Sequence, residues 1–259
     1  MTNEIISVEK VGQAVILTLN HPPLNALSHK VVKALDRGLS EVLMEKTCRC
    51  LIITGYKEKA FASGADIREL ENLDERSGTA LVARVKEVFH RIRTCSIPTI
   101  AAINAHALGG GLELALHCDF RVAAENVRLG LPEINLGIMP GAGGTQLLPQ
   151  LIGLAKARWM IMQGEIIDSE TAFRMGLLDR VVKGGELIGD VLKIASVLAE
   201  KAPLSLNAIK KAFQAGEALP LADALQEESR LFGMLCATRD KKEGIMAFLE
   251  KRKPSFQGS

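Results

Sequence analysis

The stretch that decides the fold is "IPTIAAINAHALGGGLELALHCDF", Ile97 to Phe120. Apart from Pro98 near its start, Ile97–Ile103 reads as a strand buried on both faces, the kind a parallel sheet holds. Three glycines follow, and then a short helix with one acid, Glu113, among Leu112, Leu114, Ala115 and Leu116. Amide N–H groups at a helix start are unpaired and carry the positive end of the dipole. Without Cβ atoms a ligand can approach them closely, which suits a developing oxyanion. From the triplet alone, a tight turn packing a helix on a strand is the simpler reading. Glu113 is open in the same way. It is either an exposed acid complementing the dipole or a desolvated carboxylate whose raised pKa suits acid–base work.

The same alternation extends outward. Ile5–Lys10 and Ala14–Leu19 alternate around Val11-Gly12-Gln13 and predict a hairpin. "NHPPLNALS" is a loop, and Ser28 caps a helix running to about Met44, with Val31, Leu35, Leu39 and Val42 on one face. Leu51–Thr54 is a short buried strand, "KAFASGADI" a loop opening a helix at Ile67, and Thr79–Thr94 a second helix. Phe120–Ala124 and Arg128–Gly130 are further strands. Helices then dominate: Leu154–Met162, Ser169–Arg174, Glu186–Lys201, Ser205–Ala215, Leu221–Ala237 and Lys241–Lys251. The class is α/β with a helical tail.

Composition narrows the function. The 259 residues carry 32 basic and 30 acidic side chains, net charge +2. Nothing there demands a nucleic acid or an anionic membrane. On the helix after Ser28, Lys30, Lys33 and Arg37 begin a basic face, but Asp36 and Glu41 interrupt it. Five scattered cysteines lack zinc or disulfide spacing and read as reduced apolar fillers. The five histidines lack ligand spacing, so no metal is expected. No leader and no apolar run near the ~20 residues of a membrane span point to a cytoplasmic location.

Two more segments join Glu113. Glu133 stands in "LGLPEINLGIMPGAGGTQ", stiffened by Pro132 and Pro140 and followed by Gly137, Gly141, Gly143 and Gly144. Two carboxylates, each beside a glycine-rich turn, form a plausible acid–base pair. "FASGADI", Phe61–Ile67, is a second small-residue loop entering a helix. Its N–H groups can supply a second oxyanion donor, with Asp66 as a cap or loop staple. The chain has neither a nucleotide-phosphate glycine motif nor G-x-S-x-G.

Ile97–Gly153, "KAFASGADIREL" (Lys59–Leu70), "NHPPLNALS" and "TRDKKEGIMAFLEKRKPSF" together resemble the enoyl-CoA hydratase/isomerase (crotonase) family, in order and over essentially the whole chain. The resemblance implies a spiral of ββα units over residues 1–200 carrying the CoA-binding and catalytic site. It implies a helical region over 201–259 that builds trimers, commonly paired into hexamers. It places the two oxyanion N–H groups on Ala65 and Gly110, water activation on Glu113, proton supply on Glu133, and a further N–H for the water on Gly141. Both glutamates being present favours hydration of a trans-2-enoyl-CoA to a 3-hydroxyacyl-CoA. A branched or dicarboxylic acyl-CoA substrate, or isomerisation, is the alternative, and an RNA-binding role is the more distant one. No cofactor is implied beyond the CoA of the substrate. CoA contacts fall on Leu24, Ala26, Ser63, Ala65, Asp66 and Ile67, with Lys59 and Arg68 as phosphate partners. Phe248 and Lys251 match positions that reach a neighbour's CoA site. The sequence departs from the common pattern at His106, Leu131 and Leu147.

Overall fold

The computed structural model describes residues 4–56 and 60–259. The hairpin forms from β1 (Ile6–Val11) and β2 (Ala14–Leu19), antiparallel, with Ile6 opposite Leu19. Its turn passes through Gly12 at φ 61°, a left-handed conformation that costs glycine little. β3 (Cys50–Gly55), β4 (Thr99–Ile103), β6 (Phe120–Ala124) and β9 (Arg180–Val182) then add in parallel. The six-stranded order is β1-β2-β3-β4-β6-β9. Leu17, Leu51–Ile53 and Ile100–Ile103 are fully buried, as strands covered on both faces must be. β4 begins at Thr99 rather than Ile97, because Pro98 has no N–H for the ladder.

A second, smaller sheet runs alongside. It holds β5 (Ala107–Leu108), β7 (Arg128–Gly130) and β8 (Ile166–Asp168), in the order β5-β7-β8. Isolated bridges continue it, Ala62 to Ala107 and Leu27 to Ala65. The chain therefore repeats one move: a strand in the large sheet, a pairing in the small one, then a helix. β2, the Leu27 bridge and α1 (His29–Met44) make one turn. β3, the Ala62 and Ala65 bridges, α2 (Ile67–Leu70) and α3 (Glu75–Thr94) make the next. β4, β5 and α4 (Gly110–Leu116) follow, then β6, β7 and α5 (Gly144–Ile152). This is the ββα spiral, and each turn lays its strand-to-helix loop beside the preceding one.

The helices obey local rules. The Ser28 hydroxyl accepts from the Val31 N–H, and Val31, Leu35, Leu39 and Val42 are buried as the periodicity predicts. α3 starts one turn before the expected Thr79, because Asp74 and Ser77 form a reciprocal capping box that hydrophobic periodicity does not mark. α5 went unread: it opens on glycine and carries Pro149 inside. After α6 (Leu154–Gln163), α7 (Ser169–Met175) and α8 (Leu187–Ala199) come three more helices, α9 (Pro203–Ala218), α10 (Leu221–Cys236) and α11 (Arg239–Leu249). The buried Lys210 of α9 pins this layer to the sheet. Its ammonium lies 2.6 Å from Asp119 and donates to the Ile97 carbonyl at 3.0 Å. Cys48, Cys50, Cys95 and Cys118 are buried and unpaired, and burial pushes the Cys118 thiol up to about 12, as apolar fillers require.

Candidate active site

The spiral sets the "SGAD" loop of one turn against the "GGG" loop of the next. Gly64 has φ 92°, and a Cβ on it would sit 3.2 Å from the Leu108 carbonyl and 3.5 Å from the Gly110 nitrogen. Only glycine permits that approach. Ala65 N–H and Gly110 N–H thus flank one contact, and neither donates to an acceptor among the described residues. The exposed Ala65 and the first N–H of α4 are free donors of the kind an oxyanion needs.

Both glutamates border the same bare backbone. Glu113 is 3% exposed. Its Oε1 accepts from the Ala142 N–H at 2.7 Å and the Gly144 N–H at 2.8 Å. Its Oε2 lies 3.8 Å from where a Gly110 Cβ would stand. Burial raises its pKa, while the Gly144, Ala142 and Gly141 N–H groups and the Lys86 charge oppose the rise. Glu133 occupies a 3₁₀ turn, Pro132–Leu136, closed by Gly137 at φ 73°. Its Oε1 comes within 3.1 Å of a would-be Gly109 Cβ, so a side chain at 109 would collide with it. Its Oε2 is buried with no hydrogen-bond partner among the described residues. Burial, reinforced by the Glu113 charge, lifts its carboxyl to about 7. The acid paired with Glu113 in the sequence reading is thus a half-buried group whose carboxyl lies near neutrality, where a general acid or base works.

The loops that the resemblance marks as CoA contacts are zipped together. The Leu27 N–H donates to Gly64 at 2.7 Å and the Ser63 N–H to Leu24 at 3.1 Å. Asn25, buried at φ 53°, donates its amide to the Ala60 and Phe61 carbonyls at 2.8 and 3.2 Å. Sequence reading passed over this clamp. Its signal was one Asn between apolar Leu24 and Ala26 in a proline loop, a residue type that tolerates positive φ. Asp66 caps α2 by accepting from the Arg68 N–H. Leu24, Ala65, Ile67 and Arg68 are exposed along this edge, with Ala26, Ser63 and Asp66 half-buried. Lys59 lies outside the described residues. Phe248 is 82% exposed on α11, and the positive-φ Lys251 follows it. No hydrogen bond or ion pair among the described residues joins either to these loops.

The departures from the family pattern have positions. Leu131 is fully buried, its Cδ1 2.8 Å from a would-be Gly144 Cβ, and the Leu147 Cδ1 is 3.3 Å from a would-be Gly143 Cβ. Both pack under the turn that cradles Glu113. The His106 ring accepts from the Arg128 N–H. On α1, Arg37 pairs with Glu41, and Asp36 binds Arg84 and Arg91. Among the described residues there is no cluster of three His, Cys, Asp or Glu that could hold a metal ion. None of their helices is long and apolar enough to cross a membrane.

The enoyl-CoA hydratase/isomerase family model matches residues 10–259. The crotonyl-CoA hydratase of Syntrophomonas wolfei is 40% identical over 99% of both chains. The short-chain-enoyl-CoA hydratase of Clostridium acetobutylicum is 38% identical over 97% of this chain and 96% of that one. The crystal structure of an enoyl-CoA hydratase from Bacillus anthracis superposes with a TM-score of 0.94 at 38% identity, covering 98% of this chain and all of the other. A double-sheet spiral with two acids at a bare backbone turn is an enzyme architecture, and the chain belongs to the enoyl-CoA hydratase/isomerase family, with the crotonase fold. Within it the chain is a hydro-lyase of the enoyl-CoA hydratase kind.

Proposed function

We propose that the enzyme adds water reversibly to a short trans-2-enoyl-CoA, with Glu113 and Glu133 sharing the proton work and the Ala65 and Gly110 N–H groups holding the thioester oxygen. The observation that carries this reading is the convergence on the Gly109–Gly110 backbone of two carboxylates, Glu113 buried and Glu133 half-buried, both held above the usual carboxylate range by desolvation. Ionised Glu113 takes a proton as the water oxygen bonds to C3. The C2=C3 electron pair moves toward the thioester, and the oxygen becomes enolate-like. Two aimed N–H donors stabilise it, each worth about 3–4 kcal/mol of barrier. Protonated Glu133 then delivers a proton to C2, and the neutral thioester is restored. The Gly141 N–H orients the water. Proton exchange with solvent resets the pair, and no step calls on a group beyond the CoA substrate. Having both carboxylates favours hydration over isomerisation, which needs no water.

One proton shared by two acids predicts a bell. kcat/KM for hydration rises as Glu113 ionises and falls again as Glu133, at about 7, loses its proton. The equilibrium consumes no net proton, so dehydration must trace the same curve. A flat profile between about pH 5 and 9, or curves of different shape in the two directions, overturns the shared-proton scheme.

The CoA arm lies along Leu24, Ala26, Ser63, Ala65, Asp66 and Ile67 in this proposal, with Lys59 and Arg68 on its phosphates. Residues 1–200 act as the catalytic spiral and 201–259 as the oligomerisation region of a cytoplasmic trimer or dimer of trimers. What supports the assembly is exposed Phe213, Leu221, Phe232 and Phe248 on α9–α11, apolar area that a second copy would cover. Phe248 and Lys251 then complete a neighbour's CoA site. Light scattering is expected to give three or six times the 28.0 kDa chain, and a monomeric mass would overturn it.

A further inference from the structure

His117 closes α4 in a way that the reaction scheme leaves unused. It is buried, and burial holds its imidazole down to about 4, so the ring is neutral at working pH. Its Nδ1 lies 2.8 Å from the backbone carbonyl of Glu113. A carbonyl only accepts, so Nδ1 carries the proton and donates. The Cε1–Nε2 edge of the ring faces the turn that holds the Glu113 carboxylate. A Cβ on Gly143 would stand 2.9 Å from Cε1 and 3.4 Å from Nε2. Gly143 sits between Ala142 and Gly144, whose N–H groups grip the Glu113 Oε1. Phe89 of α3 backs the ring at a centroid distance of 5.3 Å, tilted by 58°. One imidazole therefore touches both ends of Glu113: its main chain directly, and its carboxylate through the cradle.

We propose that His117 is a positioning residue for Glu113, spacing the helix that carries the acid from the turn that grips it. The inference rests on Glu113 being a reacting carboxylate. Leucine in place of the ring fills most of the volume but loses the donor and the ring edge beside Gly143. The cradle then loosens. Its N–H bonds hold the Glu113 pKa down against burial, so weakening them lets the pKa climb. The other titratable or charged groups acting there are Lys86 and Glu133 on the Glu113 side, and His90 and Arg93 on the His117 side. The variants leave all four in place.

The test is crotonyl-CoA hydration with His117→Leu and His117→Asn. Asparagine can place an amide N–H near the position of Nδ1. His117→Leu is expected to lower kcat at least about 10-fold, roughly the value of one well-placed acid–base contact partly lost, with little change in KM. The acidic limb of its kcat/KM profile should move to higher pH. His117→Asn should recover much of the rate and return the limb toward wild type. Wild-type kcat and an unmoved limb in folded His117→Leu overturn the proposal, as does equal impairment of the two variants. If His117→Leu fails to fold, His117→Gln replaces it. Gln sets its amide one carbon further out, so equal rates for Gln and Asn overturn the proposal. Glu113→Gln separates the two levels. If that variant hydrates at the wild-type rate, the reading of Glu113 falls, whereas an inactive Glu113→Gln beside a fully active His117→Leu defeats only the positioning role.

Discussion

Glu113→Gln and Glu133→Gln should each lower kcat for crotonyl-CoA hydration by roughly 10²–10⁴-fold, the range a positioned acid or base supplies. Folding should survive in both. In Glu113→Gln the carboxamide oxygen can keep accepting from the Ala142 and Gly144 N–H groups, so the cradle stays while the base is gone. In Glu133→Gln the buried Oε2, which has no partner among the described residues, becomes an amide nitrogen that need never ionise. The double variant should fall little below the worse single one, because in the proposed scheme the two acids act on one water and one enolate. Turnover within about 10-fold of wild type in either single variant, well inside that range, would remove that residue from the proton-transfer scheme.

The same pair makes a stability prediction of opposite sign. The Glu133 carboxyl has a folded pKa of about 7 against 4.5 for a free glutamate. Between those values the folded state binds more protons than the unfolded one. Stability therefore falls as pH rises through that window and is flat above it. Glu133→Gln abolishes the effect, and at pH 8 it should be more stable than wild type by on the order of 2–3 kcal/mol. Below the unfolded pKa the difference vanishes. Equal denaturant midpoints at pH 8 would show that Glu133 ionises without strain. A site that costs stability to keep an acid poised is what catalysis near neutrality demands.

Where apolar runs were long, the fold was legible before any coordinates. Ala14–Leu19, Leu51–Thr54 and Phe120–Ala124 are strands because most of their side chains are apolar, and all lie in the large sheet. β8 and β9 escaped notice because three residues carry little pattern, although the equally short β7 was read. α5 escaped because Gly144 and Pro149 are poor helix formers that the surrounding packing overrides. The site divides along a similar line. Four apolar neighbours hinted at Glu113's burial. The meeting of Gly64 with Gly110 could not be read locally, since it arises from stacking one turn of the spiral on the next. The family resemblance marked Ala65 and Gly110 as neighbouring donors, and periodicity did not. Asn25 and His117 remained hidden because one polar residue among apolar ones looks alike as a clamp, a ligand or a surface side chain.

That stacked contact gives the largest expected effect on stability. A methyl on Gly111 would stand 2.0 Å from the Ala62 carbonyl oxygen and 2.6 Å from its carbon, both far inside contact distance. The obstacle is backbone, pinned by the Ala62–Ala107 bridge and the 3.1 Å bond from the Leu108 N–H to the Ala62 carbonyl, so no side chain can swing aside. Gly111→Ala must push the Phe61–Ser63 segment off β5. Overpacking in a core costs about 1–3 kcal/mol when side chains can adjust, and a backbone clash should cost at least about 3 kcal/mol. For a chain of this size that lowers Tm by roughly 6–12 °C. Any folded fraction should also lose activity, because Ala65 and Gly110 move apart and, in the proposed scheme, the thioester oxygen keeps one donor instead of two. Gly78→Ala is the control. Gly78 lies inside α3 with nothing within 4 Å of its would-be Cβ, so alanine should be neutral or stabilising by up to about 1 kcal/mol. Both substitutions trade glycine for alanine in a helix, so propensity favours both. Opposite shifts in Tm would isolate the close approach of two spiral turns as the cause, and a Gly111→Ala protein as stable and active as Gly78→Ala would mean that this contact does not hold the two oxyanion donors together.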